Sequence, residues 1–138
     1  KILAEEKGAE IIFEEEPPVY VWADEYMIEE VFTNYLTNAI HYVRKDGVIR
    51  ISFKPMENDV RVCVYNQGDW IAQEDIDRVF EKFYKADKAR TREYGGNGIG
   101  LSIVAATMEA HGKNYGVENV ADGVMFYFDL DANVLADK

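Results

Sequence analysis

The stretch DEYMIEEVFTNYLTNAIHYVR, residues 24–44, decides the fold. Apolar side chains return in it at helical spacing: Ile28, Val31, Phe32, Tyr35, Leu36, Ala39, Ile40 and Val43. That pattern predicts an amphipathic helix from Glu25 to about Arg44. Asp24 is placed to cap its first turn, and Asp46-Gly47 ends it with turn chemistry. A second stripe holds Glu30, Asn34, Asn38 and His41, spaced so that they project from one face. Asparagine is a poor helix former, so a carboxamide row needs a reason. Either this face is merely solvated, or it offers oxygen to a hard cation. Magnesium is such a cation, binding carbonyl, carboxylate and water oxygens and often sharing phosphates with its protein ligands.

Outward from this helix the pattern changes to strands. Ile11–Glu15 and Val19–Ala23 precede it, separated by Pro17-Pro18, which breaks any ladder. Val48–Lys54 and Val60–Tyr65 follow as alternating strands around the polar turn Glu57-Asn58-Asp59. The alternation stops after Asn66-Gln67-Gly68. A short helix is predicted from about Glu74 to Phe83, and a second apolar helix from Leu101 to His111, closed by Gly112. Strands Asn114–Asn119 and Val124–Leu130 end the pattern around Asp122-Gly123. The expectation is a single α+β domain over residues 1–138. It is a two-layer α/β sandwich, a mixed, mostly antiparallel sheet with about three helices on one face.

Composition narrows the function. The formal net charge of −11 argues against a nucleic-acid backbone as partner, since that requires a basic surface. No run approaches the ~18 apolar residues of a membrane span, and the first residues do not read as a signal peptide. The single cysteine, Cys63, suits a reducing compartment and lies in an alternating run, where ordinary strand packing is expected. One basic island interrupts the acidity: Lys82, Lys85, Lys88, Arg90 and Arg92. It is either a solvated loop or a surface for a small polyanion.

Three further segments carry possible chemistry. Gly95-Gly96-Asn97-Gly98-Ile99-Gly100-Leu101 leads into the second helix, where glycines permit close approach to phosphate and the helix N-terminus adds N–H groups. No strand precedes it and no Gly-Lys-Ser/Thr follows, so it is neither a dinucleotide fingerprint nor a Walker loop. Val79-Phe80-Glu81-Lys82-Phe83-Tyr84-Lys85 is an aromatic cluster that on its own reads as a core anchor. Val64-Tyr65-Asn66-Gln67-Gly68-Asp69-Trp70-Ile71 ends a strand in a polar turn with one exposed aromatic.

Taken in order, these segments resemble the catalytic domain of bacterial sensor histidine kinases, in the ATPase superfamily shared with gyrase and MutL-type proteins. Asn34-Tyr35-Leu36-Thr37-Asn38-Ala39 resembles the N box, Phe80-Glu81-Lys82-Phe83-Tyr84 the F box, and Gly96 to Val104 the second glycine box. The likeness runs from Ile11 to Leu130. The first glycine box, usually Asp-x-Gly-x-Gly, is Asn66-Gln67-Gly68-Asp69-Trp70 here, so an amide stands where the family reads adenine with a carboxylate.

The resemblance implies a Bergerat-type sandwich that binds ATP and Mg2+ under a lid. Asn38 is the implied magnesium ligand, with Asn34 beside it on the phosphate side and Tyr42 along the adenine. The lid would run from Lys85 to Tyr94, with Arg90 reaching the γ-phosphate, and Gly96, Gly98 and Gly100 would frame the phosphates. His41, Asn66, Gly68, Ile71, Asn97, Ile99 and Leu101 complete the implied nucleotide contacts. For His41 a phosphate contact and a plain surface position both stay open. His111 reads as a helix-closing residue.

The implied partners are a phosphoacceptor histidine on a separate helical hairpin of the same kinase and the aspartate of a response regulator receiver domain. That hairpin is not expected within these residues, so the domain itself is expected to be a monomer unable to autophosphorylate, from a dimeric parent. A cytoplasmic position beneath a membrane-anchored sensor is expected. Two other readings are kept: a serine kinase of the anti-sigma-factor type, similar in the same boxes, and a degenerate module that signals by contacts.

Overall fold

The computed structural model describes residues 7–14, 21–81 and 100–132. Its elements are β1 (Glu10–Phe13), β2 (Val21–Trp22), α1 (Glu25–Tyr42), β3 (Val48–Pro55), β4 (Asp59–Gln67), α2 (Gln73–Ile76), α3 (Gly100–Ala110), β5 (Tyr115–Val120) and β6 (Gly123–Ala132). The sheet runs β1-β3-β4-β6, and β5 and β2 divide the outer edge of β6 between them. Among the described strands only β1–β3 is parallel; the other pairings are antiparallel. This is the expected mixed α+β sandwich.

Register sorts the side chains into rows across the helix-facing side. One row is Phe13, Ile51, Val64, Phe126 and Val117, and the next is Phe53, Val62, Phe128 and Tyr115. Onto these pack Val31, Tyr35 and Ala39 of α1 and Val104 and Met108 of α3, all buried. The Tyr35 ring sits 5.2 Å from Phe126 and 5.8 Å from Phe128, and its hydroxyl donates to the Tyr127 carbonyl at 3.0 Å. Burial of each such side chain contributes about 1.5–3 kcal/mol. At the end nearest the C-terminus of α1 the apolar pattern changes. There the row reads Ile11, Ile49, Asn66, Val124 and Asn119.

Asp24 caps α1 as predicted, accepting from the Tyr26 and Met27 N–H groups at 2.8 and 3.4 Å. The helix stops at Tyr42, two residues short of Arg44, because Val43 turns to an extended ψ of 139°. The Lys7 ammonium then donates to the His41 and Val43 carbonyls at 2.5 and 3.0 Å, satisfying acceptors that the next turn would have used. Asp46, at φ 60°, takes the left-handed turn position, while Gly47 is needed for space: a β-carbon there would meet the Arg44 carbonyl at 2.9 Å.

Of the helix predicted from Glu74 to Phe83, the described residues are helical only over Gln73–Ile76. Beyond it the chain closes three-residue turns, Arg78 N–H to Asp75 and Glu81 N–H to Arg78, which lets consecutive Val79 and Phe80 both enter the core. Phe80 packs edge-on to Tyr115 and Phe126, so that part of the aromatic cluster is a core anchor. Gly112, at φ 66°, ends α3 as expected: its N–H bonds the Glu109 carbonyl and that of Lys113 the Met108 carbonyl.

On the opposite side of the sheet Arg61 and the buried Asp129 form a two-bond ion pair at 2.7 and 3.0 Å, with the guanidinium 4.0 Å above the Tyr127 ring. Cys63 is buried beside them, and burial pushes its thiol pKa up, as packing rather than reactivity requires. No helix among the described residues is long and apolar enough to cross a membrane.

Candidate functional site

The carboxamide stripe of α1 meets the N-terminus of α3. Asn34 donates from Nδ2 to the Glu30 carbonyl one turn back, at 2.9 Å, which turns its Oδ1 toward Gly100. A β-carbon on Gly100 would lie 2.8 Å from that oxygen, so a larger residue here would have to displace the Asn34 side chain. Leu101 follows, packed against the core. The N box and the end of the second glycine box are therefore in contact, with the positive end of α3 against the oxygen of Asn34.

Asn38 lies one turn further along. Its Nδ2 is buried and has no hydrogen-bond partner among the described residues. Nitrogen and oxygen of such an amide are interchangeable by a flip, so this is a carboxamide with capacity for a ligand. With its oxygen turned outward, that amide would offer one neutral ligand of the kind magnesium accepts.

His41 is buried at 9 % exposure, its ring 4.7 Å from Tyr42 and perpendicular to it. The plain surface reading of His41 is thereby corrected: α1 turns that position inward at its last turn. The Tyr42 backbone meets the loop after β4. A β-carbon on Gly68 would stand 2.7 Å from the Tyr42 carbonyl and 3.3 Å from Asn66 Nδ2; the first obstacle is backbone, so glycine is required there.

Asn66 was expected in a turn but belongs to β4, paired with Ile49 and Val124. It is 1 % exposed. Its Nδ2 makes only a long 3.4 Å bond to the Gln67 carbonyl, and its Oδ1 is buried without a partner among the described residues. An orphaned acceptor is costly, on the order of 1–3 kcal/mol, and asks for a donor.

The loop beyond is fastened to the β5–β6 hairpin. Gly68 N–H bonds the Asp122 carbonyl at 3.1 Å, and Trp70 Nε1 bonds the Val120 carbonyl at 2.8 Å while its ring stays 64 % exposed. Ile71 is held through both backbone groups by the Asn119 side chain and packs against the core. Two participants escaped the sequence reading. Gln67 accepts from Val48 N–H and donates to Asp122, and Asn119 carries the clamp on Ile71. For Asn119 a signal existed: a polar residue two positions after Val117, at the parity that faces the helices. Lys85, Arg90, Gly96, Asn97, Gly98 and Ile99 lie outside the described residues.

A family model described as histidine kinase-, DNA gyrase B-, and HSP90-like ATPase matches residues 23–134. The sensor protein VanSB of Enterococcus faecalis is 36 % identical over 110 residues, 80 % of this chain and 25 % of its own length. The sensor histidine kinase CusS of Escherichia coli is 35 % identical over 130 residues, 94 % of this chain and 27 % of its own. Among solved structures, full-length ShkA in complex with AMPPNP superposes with a TM-score of 0.80 at 28 % identity, covering 95 % of this chain and 27 % of that one. The histidine kinase ThkA in complex with the response regulator protein TrrA gives 0.75 at 30 % identity, with 93 % and 35 % covered. The chain thus spans about a quarter of the length of the curated relatives it matches.

Proposed function

Since the chain belongs to the histidine kinase-, DNA gyrase B- and HSP90-like ATPases and corresponds to the ATP-binding domain of sensor histidine kinases, we propose that it binds Mg-ATP in the cleft between α1 and the N-terminus of α3. It then donates the γ-phosphoryl group to a histidine on a helical hairpin of its parent kinase, for relay to a receiver-domain aspartate. The observation that carries this reading is the contact of Asn34 Oδ1 with Gly100, one turn from the uncommitted Asn38 carboxamide.

In this reading the Asn38 side-chain oxygen would hold magnesium, and the ion would supply charge neutralisation on the phosphoryl oxygens. The α3 N-terminus orients the phosphate chain, and Asn66 offers its buried oxygen to the base. The imidazole nitrogen attacks the γ-phosphorus, a P–N bond forms, the P–O bond to the β-phosphate breaks, and ADP leaves. Asn34 is a carboxamide and takes no proton at neutral pH, so this chain's own residues position the phosphate without activating water. The domain would act on the cytoplasmic side of a membrane-anchored dimeric parent, as a monomer when separate.

The test is titration with a fluorescent ATP analogue at fixed magnesium. Asn38→Ala is expected to lose most of the affinity, tenfold or more by order of magnitude, with an unchanged melting temperature. Equal binding by the variant and the natural domain would remove Asn38 from the site.

A further inference from the structure

Register places Asn119 of β5 beside Val124 of β6, and Val124 beside Asn66 of β4. The preceding residues on this face of β5, Tyr115 and Val117, pack against the apolar core. A carboxamide at the next position must find partners or pay desolvation. It finds both in one residue: Nδ2 donates to the Ile71 carbonyl at 2.9 Å, and Oδ1 accepts from Ile71 N–H at 3.0 Å. This reproduces with a side chain the paired bonds that one residue makes to its opposite in an antiparallel ladder. The loop thereby gains a virtual strand partner where β5 itself does not reach.

The consequence reaches Asn66. Between it and Ile71 lie only four residues, and that span is held at both ends: Gly68 N–H on Asp122, Trp70 Nε1 on Val120, and the double bond pair on Asn119. Asn119 is the only one of these to engage both backbone groups of a loop residue. The Oδ1 of Asn66 meanwhile has no partner among the described residues. That oxygen is buried, so a base that bonds it would have to enter past the loop that Asn119 holds.

We propose that Asn119 is a positioning residue for base recognition, acting through Ile71 to fix the loop a base must pass to reach Asn66. This rests on the nucleotide reading above. Because Asn34, Asn38 and Gly100 lie on α1 and α3, the phosphate end of the site should be indifferent to Asn119.

The experiment titrates ATP, GTP and inorganic tripolyphosphate, each with magnesium, against the natural domain and Asn119→Ala. The expected result is an ATP affinity about tenfold lower, because a released loop would hold the binding arrangement only about a tenth of the time, with a changed ATP/GTP ratio and unchanged tripolyphosphate binding. A variant that melts earlier yet keeps the ATP/GTP ratio overturns the proposal and leaves Asn119 a structural residue. If Asn119→Ala does not fold, Asn119→Gln serves instead. Its amide is retained but displaced by one methylene, and it must also change the ratio for the proposal to stand. A natural domain that binds tripolyphosphate but neither nucleotide also overturns it. A natural domain that binds none of the three ligands overturns the nucleotide reading itself, and the proposal with it.

Discussion

Asn34 Oδ1 occupies the space that a side chain on Gly100 would enter, 2.8 Å from the ideal β-carbon position. A helix start is normally a good place to replace glycine, because alanine loses less backbone entropy on folding. Here the added methyl must push either Asn34 or the first turn of α3. Gly100→Ala is expected to leave the melting temperature within a few degrees of its natural value while lowering Mg-ATP affinity about tenfold or more. Paired thermal melts and titrations check it. Retained affinity would mean that phosphate does not bind at this junction.

The Asn34 side chain bears on turnover as well. Its Nδ2 is engaged by the Glu30 carbonyl and its oxygen faces Gly100, so it offers no base to an attacking water. The pure domain should bind ATP yet hydrolyse it very slowly, while phosphorylating a separately supplied histidine hairpin from its own parent. Steady-state phosphate release and label transfer to the hairpin measure the two. Brisk hydrolysis without the hairpin would contradict the kinase reading.

The far side of the sheet tests stability apart from function. Asp129 is 1 % exposed and takes two bonds from Arg61. Removing one partner of a buried pair leaves the other uncompensated, so Asp129→Ala should cost about 3 kcal/mol, at the low end of the usual range because Arg61 retains some solvent. Replacing both with Arg61→Met and Asp129→Leu should recover most of that. Urea unfolding decides it. Nucleotide affinity should not move in either variant, since the pair faces away from α1.

How much of this was legible beforehand depended on whether a residue's role was local. The α1 cap at Asp24, the left-handed stop at Gly112 and the apolar stripe follow from short-range pattern. The early end of α1 did not, because it depends on Lys7, far away in sequence. Nor did the end of α2 at Ile76: neighbouring Val79 and Phe80 both pack on the core, which turns rather than a continued helix allow. Asn34 and Asn38 stood out because carboxamides are odd on a helix face. Asn66 was recognised by resemblance, but its burial, its empty acceptor and the Asn119 clamp emerge only from strand register across β4, β6 and β5.

Tyr115 supplies a pH test. Its hydroxyl donates to Glu109 at 2.6 Å, and that bond, with burial second, pushes its pKa up to about 12. The folded state therefore favours the neutral phenol more than the unfolded chain does. The contribution to stability is full below the ordinary tyrosine value near 10 and is lost as pH rises from there through about 12. Tyrosinate absorbance should show a late-titrating group that moves down toward 10 in Glu109→Gln. No change between the two profiles would remove the bond as the cause.

Asn66 is the position most particular to this chain, and its burial makes the final prediction sharper. A carboxylate there would accept from an adenine amino group with charge assistance, a gain on the order of 1 kcal/mol over the amide. The amide, flipped, can instead donate to a guanine carbonyl, which a carboxylate would repel. The natural domain should therefore bind ATP more weakly than Asn66→Asp and discriminate less against GTP. The same substitution has a cost without nucleotide. The site is 1 % exposed, and Nδ2 donates to the Gln67 carbonyl at 3.4 Å, an acceptor that a carboxylate would face unfavourably. Free Asn66→Asp should melt earlier than the natural domain, and saturating ATP should restore more of its stability than it adds to the natural one. Titrations with ATP and GTP, with melts at zero and saturating nucleotide, read all of these effects. If both affinities, their ratio and the ATP-dependent shift are unchanged by the substitution, Asn66 does not touch the base and its buried oxygen serves some other donor.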